Sequence, residues 1–172
     1  MSIGRYTWLD TTKEDGLPYI GRDRYTNPEY YTYDREVLLK MVDRVKTFTL
    51  AWYFSDDRRH ASVAIEQIRV WLLKKETYMN SNMYYGQIVK GFTSLNATAV
   101  LDGAGFVNMI DDLYLLDDYH SWMWHRDIKR VKKWLGQFLD WIETSDQGVR
   151  QNKSRDNTGT SYDLLRLAYN LY

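Results

Sequence analysis

The chain has 172 residues, 23 Lys plus Arg balanced by 23 Asp plus Glu, no cysteine and two prolines. That length predicts one domain, and the charge balance argues against a general nucleic-acid binder, which carries a basic excess. The lack of cysteine excludes disulfides, Cys-ligated zinc and a Cys nucleophile. No run of about 18 apolar residues is present, so no membrane span is expected, and residues 1–10 lack the apolar stretch of a signal peptide. The feature left to explain is 27 aromatic residues (15 Tyr, 7 Trp, 5 Phe) in a chain of mean hydropathy −0.57. Tyr and Trp suit both a wet stacking surface and a helix-packing core.

Residues 1–33 hold both prolines, Pro18 and Pro28, and show no helical period, which predicts an irregular arm. A first helix is expected over 34–54, where Val37, Leu38, Met41, Val42, Val45, Phe48 and Leu50 keep core-face spacing. Ser55, Asp56 and Asp57 break it and offer caps to a second helix over 58–75, with Val63, Ala64, Ile68, Trp71 and Leu72 buried. Residues 76–103 read as a polar connection. A third helix is expected over 104–116, a loop around His120 and His125, and a fourth helix over 127–144. Residues 145–158 are polar again, and a last helix starts near Thr160. This order predicts an all-α fold of antiparallel helix hairpins with function in the connections. Trp52, Trp71, Trp134 and Trp141 fall on helices and are expected in the core. Trp8 lies in the arm and suits ligand stacking.

Three polar, aromatic-laced segments stand out: 6–29, 77–87 and 152–163. Their mixture of amides, phenols and flat rings suits a sugar polymer, because rings stack on pyranose faces and amides bond hydroxyls and carboxylates. The same Asn and Thr residues also serve as helix caps and turn formers, and both readings stand at this point. His60, His120 and His125 lack the close spacing of a helical metal pair, so no metal site and no cofactor are expected. Lys129, Arg130, Lys132 and Lys133 read as a solvated basic helix face.

Together the segments resemble the alginate lyase (mannuronate lyase) family, polysaccharide lyase family five and its relatives. The family pattern Y-W-W-P-D-P, G-L-P-Y-x-x-R-D-G and N-P-E is matched by Tyr6 to Thr11, Gly16 to Arg24, and Asn27-Pro28-Glu29. Then come Tyr33-Asp34-Arg35 with Met41-Val42-Asp43-Arg44-Val45, and Ile68-Arg69-Val70-Trp71 for I-R-x-W. Met79 to Gln87 answers M-N-P-N-L-N-Y-A-Q, and Trp141 to Gly148 answers W-L-x-T-S-x-x-G. Asp156 to Asp163 answers N-N-H-G-T-x-Y-D. The order and spacing of these blocks carry the resemblance over about residues 6–163.

The resemblance implies an α/α toroid, an anionic uronate polymer such as alginate as substrate, and β-elimination as the reaction. It also implies a secreted or periplasmic protein. Residues 1–33 resemble a lid over the cleft, and residues 34–172 the helical hairpins of part of the family domain. Matching positions make Tyr6, Trp8, Tyr19, Arg22, Asn82, Tyr85 and Gln87 the expected substrate-binding residues. Asn157 matches the family's carboxylate-neutralising Asn, whereas Thr158 stands where the family has His. A hydroxyl gives one hydrogen bond and no imidazolium charge, a loss on the order of 10²–10³ in rate. The family's catalytic Tyr and supporting Arg lie in the second half of the toroid, beyond Tyr172. In place of the family's G-R-G-I-G-I-I-D stands Leu95 to Asp102, where only the Asp survives. The expectation is therefore an incomplete α/α toroid with little or no lyase activity by itself. Its exposed helix faces would favour self-association. A non-catalytic uronate-binding module and an incomplete gene product are the other two readings.

Overall fold

The computed structural model describes residues 1–171. Two-residue strands β1 (Thr7–Trp8) and β2 (Ile20–Gly21) pair antiparallel with Trp8 opposite Ile20, and a 3-10 turn follows at Pro28–Thr32. Six helices succeed them: α1 (Asp34–Ser55), α2 (Arg58–Ile68), α3 (Ala104–Asp117), α4 (Trp122–Thr144), α5 (Asp146–Asn152) and α6 (Asn157–Leu171). A π-helical turn, Arg69–Leu73, extends α2, and a 3-10 turn, Ala97–Gly103, leads into α3.

The α1–α2 hairpin turns at Asp56, whose backbone enters the left-handed region at φ 55° and whose N–H bonds Trp52 O at 2.8 Å. Asp57 then caps α2, its carboxylate accepting from Arg59 N. These are the caps expected from Ser55-Asp56-Asp57. In the expected first core face, Leu38, Met41, Val42 and Val45 are buried, while Val37 is exposed.

Helix α3 packs on α1, and α4 and α6 close the other side of one apolar core. Eight of the 27 aromatic residues are buried in it. Trp134 stacks on Phe138 at 5.5 Å, and Phe106 meets both rings edge-on. The polar tips of buried aromatics find backbone carbonyls: Trp124 Nε1 donates to Leu116 O, Tyr162 Oη to Ile142 O and Tyr169 Oη to Gly103 O. Trp134 Nε1 donates to Met79 O, tying the core to the second polar segment.

Three boundaries differ from the sequence expectation. Helix α4 begins at Trp122, not 127, so His125 lies within the helix, its N–H donating to Ser121 O. Trp122 and Met123 are exposed there and hide the apolar period. Residues 146–152 form α5, whose inward face carries the buried amides Gln147 and Gln151 in place of apolar residues. Helix α6 starts at Asn157 because Asp156 caps it, accepting from Thr158 N at 2.9 Å.

Candidate functional site

The arm is folded on itself. Arg22 N donates to Tyr6 O beside the β1–β2 pair, which brings Tyr6, Trp8 and Arg22 onto one small hairpin. The Arg22 guanidinium lies 5.6 Å from the Trp8 ring centroid, and Trp8 Nε1 donates to Tyr25 O. Tyr6 and Arg22 are exposed and Trp8 half-buried. Tyr19 is placed differently: its side chain is buried and its hydroxyl donates to Glu29 Oε2 at 2.8 Å. Tyr33 donates to the other oxygen of Glu29, and the Lys90 ammonium pairs with the same carboxylate. Lys90 and the two phenols hold Glu29 below the usual carboxylate range, while burial, with Glu29 next in weight, pushes the Tyr19 phenol up. Tyr19 therefore braces the arm against the second segment and is no ready proton acceptor.

The second segment is stitched to the start of the chain. Ser2 N donates to Tyr85 O, Ile88 N to Ser2 O and Gly4 N to Ile88 O, so residues 2–4 run parallel beside 85–88. Tyr19 N reaches Lys90 O, and Gly91 lies against Pro18. A Cβ on Gly91 would stand 2.6 Å from Pro18 Cα, and its φ of +86° independently favours glycine.

Gln87 sits at the centre of a polar network. Its backbone is in the left-handed region at φ 46°, uncommon for a non-glycine residue, and its N–H donates to Ser2 Oγ at 2.7 Å. Its side-chain Nε2 donates to Asp102 Oδ1 at 3.0 Å, and its Oε1 accepts from Thr98. Asp102, which is buried, also accepts from Ser2 Oγ at 2.5 Å and from Arg35 Nε at 3.1 Å. The Gln87 amide is thus engaged inside the protein. Asp102 is the one residue of its block that matches the family pattern, and Ser2 belongs to no motif in the sequence.

Beside this network lies a cavity of about 320 Å³. The second segment lines it with Asn82 and Tyr85, α1 with Arg35 and Leu38, and the π turn with Trp71. Tyr85 is 67% exposed and also lines a second depression running from Ile88 to Leu95. Trp71, expected in the core, is half-buried and packs against the core's edge.

The third segment joins through α5. Ser145 caps α5 by accepting from Gly148 N, and a Cβ on Gly148 would stand 1.7 Å from Ile142 O. That closeness gives the Thr-Ser-x-x-Gly spacing a steric reason. Gln147 Nε2 donates to Asn96 O at 2.8 Å and to Tyr84 O at 3.3 Å, and Arg150 reaches Leu95 O. One turn later Gln151 Nε2 donates to Thr158 Oγ1 at 2.7 Å. The buried face of α5 thus clamps the second segment with one end and holds Thr158 with the other. The 147/151 spacing on a helix was the sequence signal available for this.

Thr158 Oγ1 also donates to Asp156 Oδ1 at 2.6 Å, so its hydroxyl belongs to the helix cap. Hydrogen bonds from Thr158 and Ser154 pull Asp156 down to about 2. Asn157 is exposed at the first turn of α6, and its side-chain amide bonds no described residue. Cap duty falls to Asp156, leaving the Asn157 amide open to solvent.

Comparison with known proteins accords with this arrangement. The family model for alginate lyase matches residues 1–172. A crystal structure of an alginate lyase from Bacteroides ovatus is similar at a TM-score of 0.94 and 35% identity, over 100% of this chain and 46% of that one. The chain spans less than half the length of that neighbour. No curated protein matches. The helix hairpins are those of an α/α toroid, and the chain belongs to the alginate lyase family.

Proposed function

We propose that this chain binds an anionic uronate polymer such as alginate, at the end of the helices where the three polar segments meet. β-Elimination is the reaction class of the site. The observation that carries the reading is the convergence itself. Residues 2–4 pair with 85–88, and α5 links Tyr84 and Asn96 to Thr158, so segments far apart in sequence are tied together by backbone pairing and by a buried helix face. Tyr85, Asn82, Tyr6, Trp8 and Arg22 are the contact residues in this reading, and Gln87 acts mainly as an internal brace.

The chemistry sets the roles. A C5 proton beside a uronate carboxylate is weakly acidic until donors neutralise the carboxylate, which makes charge build-up at C5 tolerable. The open amide of Asn157 is the donor we assign to that task. Thr158 adds little, because its hydroxyl proton already goes to Asp156. Tyr162 is buried and donates to Ile142 O, so it does not serve as acid or base. We therefore propose binding with little or no turnover by this chain alone, and a secreted or periplasmic setting. No helix among the described residues is long and apolar enough to cross a membrane.

The test is incubation of purified protein with polymannuronate while following ultraviolet absorbance of the unsaturated product. Little or no increase is expected, with retained binding of the polymer. Clear turnover overturns the expectation of little or no catalysis by this chain, and absence of polymer binding overturns the binding role. The reading as a non-catalytic module is favoured by the capped hydroxyl of Thr158.

A further inference from the structure

The π-helical turn at Arg69–Leu73 carries Trp71, which packs against the edge of the core and also lines the 320 Å³ cavity. Regular α-helical spacing from Ala61, Ala64 and Ile68 would turn Trp71 toward the core. A π turn widens the helix by about one residue and moves that phase. Leu72 and Leu73 are buried, and Trp71 is moved to the flank, half-buried, where it lines the cavity.

The turn is pinned from several sides. Lys74 N donates to Arg69 O at 2.8 Å, five residues back, and Arg69 Nε donates to the buried Asp127 Oδ2 at 2.6 Å. Arg130 spans Asp127 and Leu73 O. The carbonyls that a helix end leaves open are taken up as well: Val70 O accepts from Thr77 Oγ1, and Trp71 O from Met79 N. Such single π turns concentrate at functional sites. This one fixes the backbone on both sides of Trp71 while leaving the ring at the cavity.

We propose that Trp71 is a sugar-stacking platform for the uronate polymer, presented by the π turn, with Asn82 and Tyr85 supplying polar contacts from the same cavity. The inference rests on the uronate-binding reading given above. A flat indole binds a pyranose face through dispersion and its C–H groups, and the amide and phenol beside it bond ring hydroxyls. Arg69 and Asp127 are positioning residues in this scheme, acting through the turn.

The test is calorimetric titration of the wild-type chain, Trp71→Phe and Trp71→Leu with a defined mannuronate oligomer and with a neutral oligosaccharide of equal length, thermal melting being recorded for each. Stacking predicts that Trp71→Leu weakens oligomer binding about tenfold or more while still unfolding cooperatively, and that Trp71→Phe recovers most of the loss. Both variants binding as wild type overturns the platform and leaves the uronate reading intact. A Trp71-dependent preference for the neutral oligosaccharide overturns the uronate reading and keeps the platform. Absence of binding by folded wild-type chain overturns both. Should Trp71→Leu fail to fold, indole fluorescence carries the comparison: the oligomer should change the emission of the wild-type chain and leave that of Trp71→Phe unchanged, and an equal change in both overturns the platform.

Discussion

Removing the Asp102 carboxylate should loosen the arm from the helices. In Asp102→Ala three donors lose their acceptor: Ser2 Oγ, Arg35 Nε and Gln87 Nε2. A hydrogen bond to a charged group contributes about 1.5–3 kcal/mol, and stranding a buried donor adds to that. The Arg35 side chain is 26% exposed against 4% for Asp102, so water compensates the arginine in part but the Ser2 hydroxyl hardly at all. Non-additivity trims the sum, and a loss of about 3–5 kcal/mol follows. That is a large share of the roughly 5–15 kcal/mol typical of a domain. Asp102→Asn keeps the shape but turns an amide toward a donor, and about half the loss is expected. Urea unfolding followed by tryptophan fluorescence measures both variants. Amide exchange at Ser2, Gly4 and Gln87, whose N–H groups bond across this seam, should rise in Asp102→Ala before the helix amides do. A change in stability below about 0.5 kcal/mol, with unaltered exchange at those amides, would refute the network as the arm's anchor.

Other consequences are as direct. Desolvation raises Asp112 to about 6, with Lys46 opposing and Asp111 adding to the shift, and its Oδ2 is buried without a partner among the described residues. The folded chain keeps a proton that the unfolded chain releases. Stability should therefore fall by about 3 kcal/mol as pH rises from about 4 to 6, then level off. Asp112→Asn should remove that fall, and parallel pH profiles of unfolding would contradict it. Asp156 has the opposite sign: its folded value near 2 means its contribution is full above the ordinary carboxylate range and lost on acidification, a loss that Asp156→Ala should abolish. Gly148→Ala forces Cβ onto Ile142 O and should cost on the order of 3 kcal/mol by thermal melting, whereas Gly136→Ala, exposed within α4 where a Cβ meets open space, should stabilise by roughly 0.5–1 kcal/mol. Tyr85→Ala should weaken oligomer binding with little change in melting, because the ring is 67% exposed, while Gln87→Ala should lower both.

The helices were readable where apolar residues recur at helical spacing. Helices α1 and α3 begin at the positions expected and end within one residue of them. Spacing failed where polar side chains face inward. Gln147 and Gln151 give α5 a buried amide face that a hydropathy pattern cannot register. At Trp71 the register of α2 changes through backbone widening, which no side-chain period announces. The candidate site was legible as three segments, because amides and aromatic rings cluster there. How they meet was not, since the joining bonds are largely to backbone carbonyls: Tyr84 O, Tyr85 O, Leu95 O and Asn96 O. The division of labour inside the segments also lay outside the sequence. Tyr19 and Gln87 match family positions expected to bind substrate, and within the fold Glu29 and Asp102 engage them.

The central claim is recognition of an anionic uronate polymer on the surface where those segments meet. Isothermal titration of the intact chain with a mannuronate oligomer, beside a neutral oligosaccharide of equal length, tests it most directly. Saturable binding of the uronate that weakens with salt, with much weaker binding of the neutral sugar, is the predicted result. Cooperatively folded protein that binds neither, or binds both equally, would contradict it.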